Sequence, residues 1–312
     1  MRVTNRMMGE DFLINLRRNL KNMQHVQYQL ATGKEVSRPS DDPYRVTRAL
    51  SLETSVMKNE QYLRNIEDSI GWVDTNDSAL GALGDSLNRV RELMIRAANT
   101  GMSETDHKAI FAEMKQIGEG IGDIGNVNYD GRYIFGGQST TEPPFPKDWI
   151  DAVTMDLPLV NLDGVYNGDD RPISREMLPG VNVRINVHGQ DILGGGEDQN
   201  NLAQTMKTIL EILSNPGDND VMVLGGDLLG EIDGHIENVL DLRTQNGAVS
   251  NRLDTLKERN ATENLGMKEL LAKVEDIDFA EKIMQFAMME NVYRASLSAG
   301  SKILQPTLLD YL

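Results

Sequence analysis

The chain has 312 residues, with 31 Lys plus Arg against 48 Asp plus Glu, a formal net charge of −17. So acidic a surface argues against nucleic acid as a partner, because phosphate binding needs clustered cations. Cysteine is absent, which excludes disulfides, thiolate nucleophiles and cysteine-based metal sites, and no run of 18 apolar residues is present to span a membrane.

The segment Met1-Arg2-Val3-Thr4-Asn5-Arg6 leads into a polar amphipathic stretch rather than an apolar signal core, so no cleaved secretory signal is expected. Leu13, Leu16, Leu20, Met23 and Leu30 then recur at alternating steps of three and four, with Gln27 the polar member. Such a stripe buries against another helix. Gly33 follows as a C-cap, Ser37-Arg38-Pro39-Ser40-Asp41-Asp42-Pro43 breaks the pattern, and Asp42 before Pro43 starts a new helix. Helical spacing runs over residues 43–98, and the polar cluster at 74–78 leaves one helix or two open. Ser103 with Asp106 has the form of a capping box, opening a helix striped by Ile110, Met114, Ile117, Ile121 and Ile124.

The middle of the chain changes character. Asp130-Gly131 is a hairpin-type turn into Arg132-Tyr133-Ile134-Phe135, and Val181, Val183, Ile185 and Val187 alternate with polar residues as a half-buried strand does. Residues 138–198 read as a small β-rich insertion, with four cations against eleven carboxylates, facing solvent.

Helical spacing resumes at Leu202, Met206, Ile209 and Leu213. The longest register follows: Leu228, Ile232, His235, Val239, Leu242, Asn246, Val249, Leu253, Leu256 and Asn260, continuing to Val274, Ile277, Glu281, Met284 and Met288. A sustained 3.5-residue repeat predicts a coiled coil, with Asn246 and Asn260 as register-fixing polar residues. The stripe drifts to Ala295, Ala299 and Ile303 before Pro306. Residues 1–48 carry nine cations against five carboxylates and residues 275–312 three against six, signs that suit terminal segments pairing with each other. The fold class is therefore mainly α: an elongated antiparallel helical bundle or coiled coil formed by the N- and C-terminal segments, with a small central β-rich domain. Three domains are expected: 1–42 with 276–312 as a terminal-helix assembly domain, 43–137 with 199–275 as a helical rod, and 138–198 as the β-rich outer domain.

No catalytic, cofactor-binding or metal site emerges. Gly120-Ile121-Gly122-Asp123-Ile124-Gly125 matches G-x-G-x-x-G, but a helix precedes it where a dinucleotide site needs a strand. His235 sits in the helical stripe as a core residue, and His25, His107 and His188 read as surface residues. The pairs Asp41-Asp42 and Asp169-Asp170 are explained by capping and turns more cheaply than by acid–base or calcium chemistry.

Several segments nevertheless carry a resemblance. Met1-Arg2-Val3-Thr4, Leu30-Ala31-Thr32-Gly33-Lys34, Ser37 to Pro43, and Gly131-Arg132-Tyr133-Ile134-Phe135-Gly136-Gly137 resemble the bacterial hook-associated protein 3 family of the flagellin superfamily. So do Tyr293-Arg294-Ala295-Ser296-Leu297 and the run from Ser301 to the ending Leu308-Leu309-Asp310-Tyr311-Leu312. The resemblance covers roughly 1–137 and 200–312 and is loose over the insertion. It implies a structural subunit, not an enzyme, at the junction of flagellar hook and filament, without cofactors. The implied partners are hook-associated protein 1, flagellin, further copies in a ring, and an export chaperone on the C-terminal region; the implied location is extracellular. On this reading Leu13, Leu16, Leu20, Met23 and Leu30 bury against the helix carrying Met284, Met288, Ala295 and Ile303, within and between subunits, and Leu308 and Leu309 join the assembly interface. A minor flagellin is the alternative, and a carboxylate-dependent hydrolase in the insertion is a third reading.

Overall fold

A computed structural model describes residues 5–99, 103–146, 149, 166–193, 201–214 and 220–303. Eight helices and four short strands are assigned among the described residues: α1 (Asn5–Thr32), α2 (Pro43–Ala97), α3 (Glu104–Gly125), β1 (Asn128–Tyr129), β2 (Arg132–Tyr133), β3 (Ser174–Leu178), β4 (Val181–Arg184), α4 (Gly189–Leu193), α5 (Leu202–Ser214), α6 (Asp220–Gly225), α7 (Asp227–Glu275) and α8 (Phe279–Ile303). The protein is mainly helical with a small β part. It divides into two compact units, residues 60–261 and residues 1–59 with 262–312.

Within the unit 60–261, the stripes meet as their spacing requires. Ile66, Val73, Leu80, Leu83, Leu87, Val90 and Met94 of α2, Ile110, Met114 and Ile121 of α3, Leu202, Met206, Ile209 and Leu213 of α5, and Ile232, Val239 and Leu253 of α7 share one buried core. α2 does not break at its polar cluster. Thr75 and Ser78 donate to carbonyls one turn back (Gly71 and Asp74, 2.7 and 2.9 Å), and Asp77 accepts from Arg243 at 3.1 Å. Asn76 is fully buried and donates to the Ile185 carbonyl at 3.1 Å, so every polar side chain of the cluster except Asp74 has an outlet that leaves the helix intact. Asn246, predicted to fix register, is buried and donates to the Val73 carbonyl at 2.9 Å.

The β1–β2 hairpin turns at Asp130-Gly131 with φ of 50° and 74°, the left-handed pair that this dipeptide tolerates. It delivers Ile134 and Phe135 into the core. The alternating strand pairs as β4 with β3, which the sequence pattern did not reveal. Val183 and Ile185 are buried while Asn182 and Arg184 face out.

The unit 1–59 with 262–312 pairs α1 with α8, and Arg45 of α2 reaches the Val274 carbonyl of α7. Here one expectation is corrected: the register predicted to run through Ile277 to Met288 is interrupted. α7 ends at Glu275, and Asp278 caps α8 by accepting from the Ala280 and Glu281 amides at 2.9 and 3.2 Å.

Candidate assembly interface

The connection between α1 and α2 folds onto the connection between α7 and α8. Gly33, at φ +72°, closes α1 by donating to the Gln29 carbonyl at 2.8 Å, a C-cap that a side chain would strain. The freed chain then bridges to residues 275–277: the Ile277 amide donates to the Gly33 carbonyl at 3.1 Å and the Glu35 amide to the Glu275 carbonyl at 2.6 Å. Charges surround this bridge. Lys34 pairs with Glu275 and, at 3.5 Å, with Glu53; the Glu275 partner raises the Lys34 ammonium above its ordinary pKa. Arg45 reaches Glu35 at 2.8 Å and donates to the Val274 carbonyl at 2.7 Å. Beneath lie Val26, Val36, Val46, Ala49 and Ile277, all buried. Asp42 caps α2, accepting from the Tyr44 and Arg45 amides at 3.0 Å, with Pro43 in the first turn where its missing N–H costs nothing. The residues on either side of the motif from Ser37 to Pro43, Gly33 to Glu35 and Arg45, thus form the frame that ties the start of α8 to the end of α1.

From that frame α1 and α8 run paired, and the sides they turn toward each other are offset from the predicted stripes. On α1 the covered positions include Phe12, Leu16, Asn19, Met23, Val26 and Leu30. Leu16, Met23 and Leu30 were predicted; Leu13 and Leu20, 43% and 36% exposed, lie on the neighbouring face. On α8 the covered positions include Lys282, Phe286, Met289, Tyr293, Ser296 and Gly300. Met284, Met288 and Ala295 are exposed, so the expectation that these three cover α1 within one chain is corrected. The cause is a polar residue at an inward position on each helix, Asn19 and Ser296, beside larger apolar residues that face outward. Ile303 ends α8 and its side chain, like Leu308 and Leu309, lies outside the described residues.

The helix pair thus closes one apolar side within the chain and leaves other apolar side chains exposed around it: Ile14 and Leu20 on α1 and Ile283, Met284, Met288, Val292 and Leu297 on α8. Exposed apolar side chains in such number are a feature of surfaces that meet further subunits.

The other motifs are absorbed by packing. Trp149 and Phe145 lie against Gly122 and Gly125 so closely that a Cβ at either glycine would sit 2.6 and 2.5 Å from the rings, and Trp149 donates to the Gly118 carbonyl at 3.0 Å. The glycine motif is therefore a groove for two aromatic rings within α3. His235 is buried with no partner on Nε2, and burial pushes it down to about 4. His107 and His188 are corrected from surface to buried positions: His107 Nδ1 lies 3.2 Å from the Ser103 carbonyl and His188 Nδ1 lies 3.4 Å from Asn186. Asp169 ties a turn, accepting from the Gln138 amide at 2.6 Å and from Arg171 at 2.7 Å. No group of three candidate metal ligands is present among the described residues.

The described chain is thus predominantly helical, with α1 paired to α8 and apolar side chains left exposed on that pair. Residues 3–140 match the bacterial flagellin N-terminal helical region. Over 95% of its length the chain is 23% identical to flagellar hook-associated protein 3 of Salmonella typhimurium (strain LT2), of which 95% is covered. It is also 25% identical to the flagellin of Bacillus subtilis (strain 168), over 95% of this chain and 94% of that one. Its fold is that of flagellar hook-associated protein 3 from Legionella pneumophila, with a TM-score of 0.60 at 16% identity, covering 72% of this chain and 98% of that one.

Proposed function

We propose that this chain is a structural subunit of the bacterial flagellum, seated at the junction of hook and filament, and that it assembles through α1 and α8. The observation supporting this most directly is the uncovered apolar face carrying Leu13, Leu20, Met284 and Met288 on a helix pair that is already closed on its other side. Leu16, Met23 and Leu30 hold the pair together, and Ala295, Ile303, Leu308 and Leu309 extend the contact toward the C-terminal end. On this reading its neighbours are hook-associated protein 1, flagellin and further copies of itself in a ring. An export chaperone holds the C-terminal region until the chain leaves the cell through the flagellar export channel, without a cleaved signal. Residues 1–42 and 276–312 make the assembly contacts, 43–137 and 199–275 form the helical rod, and the acidic insertion 138–198 is the outer domain. The work is mechanical rather than catalytic and uses no cofactor.

The similarity to Bacillus subtilis flagellin, which spans 95% of the chain, favours a second reading as a minor filament subunit. Deletion of the gene separates the two, with cells imaged by electron microscopy and flagellin measured in the medium. Hooks without filaments, with flagellin lost to the medium, are expected. Normal filaments overturn the junction reading, and missing filaments without secreted flagellin favour the filament reading.

A further inference from the structure

Sulfur in this chain is carried by 16 methionines and no cysteine, so thioethers are its oxidisable groups. They fall into two populations. Among the described residues Met94, Met114, Met177 and Met206 are fully buried, whereas Met7, Met8 and Met57 are 55%, 43% and 60% exposed and Met284 and Met288, the most exposed, 64% and 68%. These two stand four residues apart on one side of α8, flanked by exposed Ile283 and Val292. Met289, next to them in sequence, turns toward α1 and is half covered.

We propose that Met284 and Met288 form a reversible oxidation site at which a peroxide switches off assembly through α8. The inference rests on the assembly reading given above. The Sδ lone pair attacks one oxygen of hydrogen peroxide; the S–O bond forms, the O–O bond breaks, and water leaves with both hydrogens. Sulfur loses two electrons and the peroxide gains them. A thiol-dependent sulfoxide reductase returns two electrons and two protons, releasing the oxygen as water. Helix α8 survives the change because both side chains point away from α1. The apolar face does not, because each sulfoxide places a strong polar acceptor where a partner subunit offers hydrocarbon.

The test uses the purified full-length chain and hooks isolated from the deletion strain. Graded hydrogen peroxide is applied, sulfoxides are mapped by peptide mass spectrometry, helicity is followed by circular dichroism, and incorporation onto the hooks is scored. Oxidation at 284 and 288 with the four buried methionines intact, unchanged helicity, and incorporation reduced at least about tenfold is the expected result. Sulfoxide reductase with dithiothreitol restores incorporation. A Met284→Leu/Met288→Leu chain, scored against its own untreated state, shows no further loss on peroxide; if that chain does not incorporate at all, the reductase rescue decides. Undiminished incorporation with both sulfoxides in place, or loss that the reductase does not reverse, overturns the inference. Failure of the untreated chain to incorporate overturns the assembly reading itself, and is seen before any oxidant is added.

Discussion

The ring of Phe12 on α1 lies against Gly300 on α8, so close that a Cβ at Gly300 would occupy the space of the ring. Near the outer end of the helix pair, the approach of α1 to α8 is therefore set by the absence of a side chain. Gly300→Val forces the ring aside and is expected to weaken the pairing by about 1–3 kcal/mol. Hydrogen exchange should speed up in α1 and α8 and stay unchanged in residues 60–261. Equal protection in the variant would show that the contact does not set the spacing.

Exposed and covered positions on α1 separate assembly from stability. Leu13→Asp is expected to leave the unfolding midpoint within about 0.5 kcal/mol of the parent while abolishing incorporation onto hooks. Leu16→Asp, on the covered side, is expected to cost about 2 kcal/mol in the pairing as well, by burying a charge among apolar neighbours. Similar stability losses for both would contradict the assignment of faces.

Two glycines of the G-x-G-x-x-G motif in α3 behave oppositely to the third. Gly122→Ala and Gly125→Ala push Trp149 and Phe145 and should each destabilise by about 1–3 kcal/mol. Gly120→Ala meets open space on a helix and should be neutral or stabilising by up to about 1 kcal/mol. Urea midpoints, with the fluorescence of Trp149 as a local reporter, check the contrast.

His235 makes the unit 60–261 sensitive to acid. Its folded-state pKa of about 4 lies below the ordinary 6.5, because burial penalises the charged ring. The neutral ring is therefore favoured by folding. Stability is fully present above pH 6.5, declines as the pH falls toward 4, and loses up to about 3 kcal/mol over that window. His235→Leu should flatten that slope between pH 6.5 and 4 in urea unfolding; a slope as steep as the parent's would place the effect elsewhere.

Most of the helical frame was legible because apolar spacing continues over many turns, as in the α5 stripe of Leu202, Met206, Ile209 and Leu213, all buried. The break at 275–278 was not, since Ile277 keeps the count of three and four while Asp278 ends it through a cap visible only in three dimensions. The covered faces of α1 and α8 were read only in part for a related reason. Hydrophobicity marks surfaces that become buried, and it does not say whether the cover comes from the same chain or another. Leu13 and Met288 are apolar as Leu16 and Met289 are, yet only Leu16 and Met289 are covered within the chain. Strand β3 carries Arg175 and Glu176 in its interior and has no alternation to find. The fit of Trp149 on Gly122 joins residues too far apart in sequence for spacing to register.

The two pieces of chain that build the terminal unit are separated by the whole of residues 60–261. During synthesis α1 is complete long before α8 exists, so Phe12, Leu16, Met23 and Val26 wait without their covering helix for most of that time. Contacts of such sequence separation form late, because the entropy of closing the intervening loop must be met first. The terminal unit is thus a completeness check written in topology. A chain cut short between Ala261 and Phe279 can fold its central unit and still display an unsheathed α1, and it is marked as unfinished by the same surface that a finished chain keeps closed.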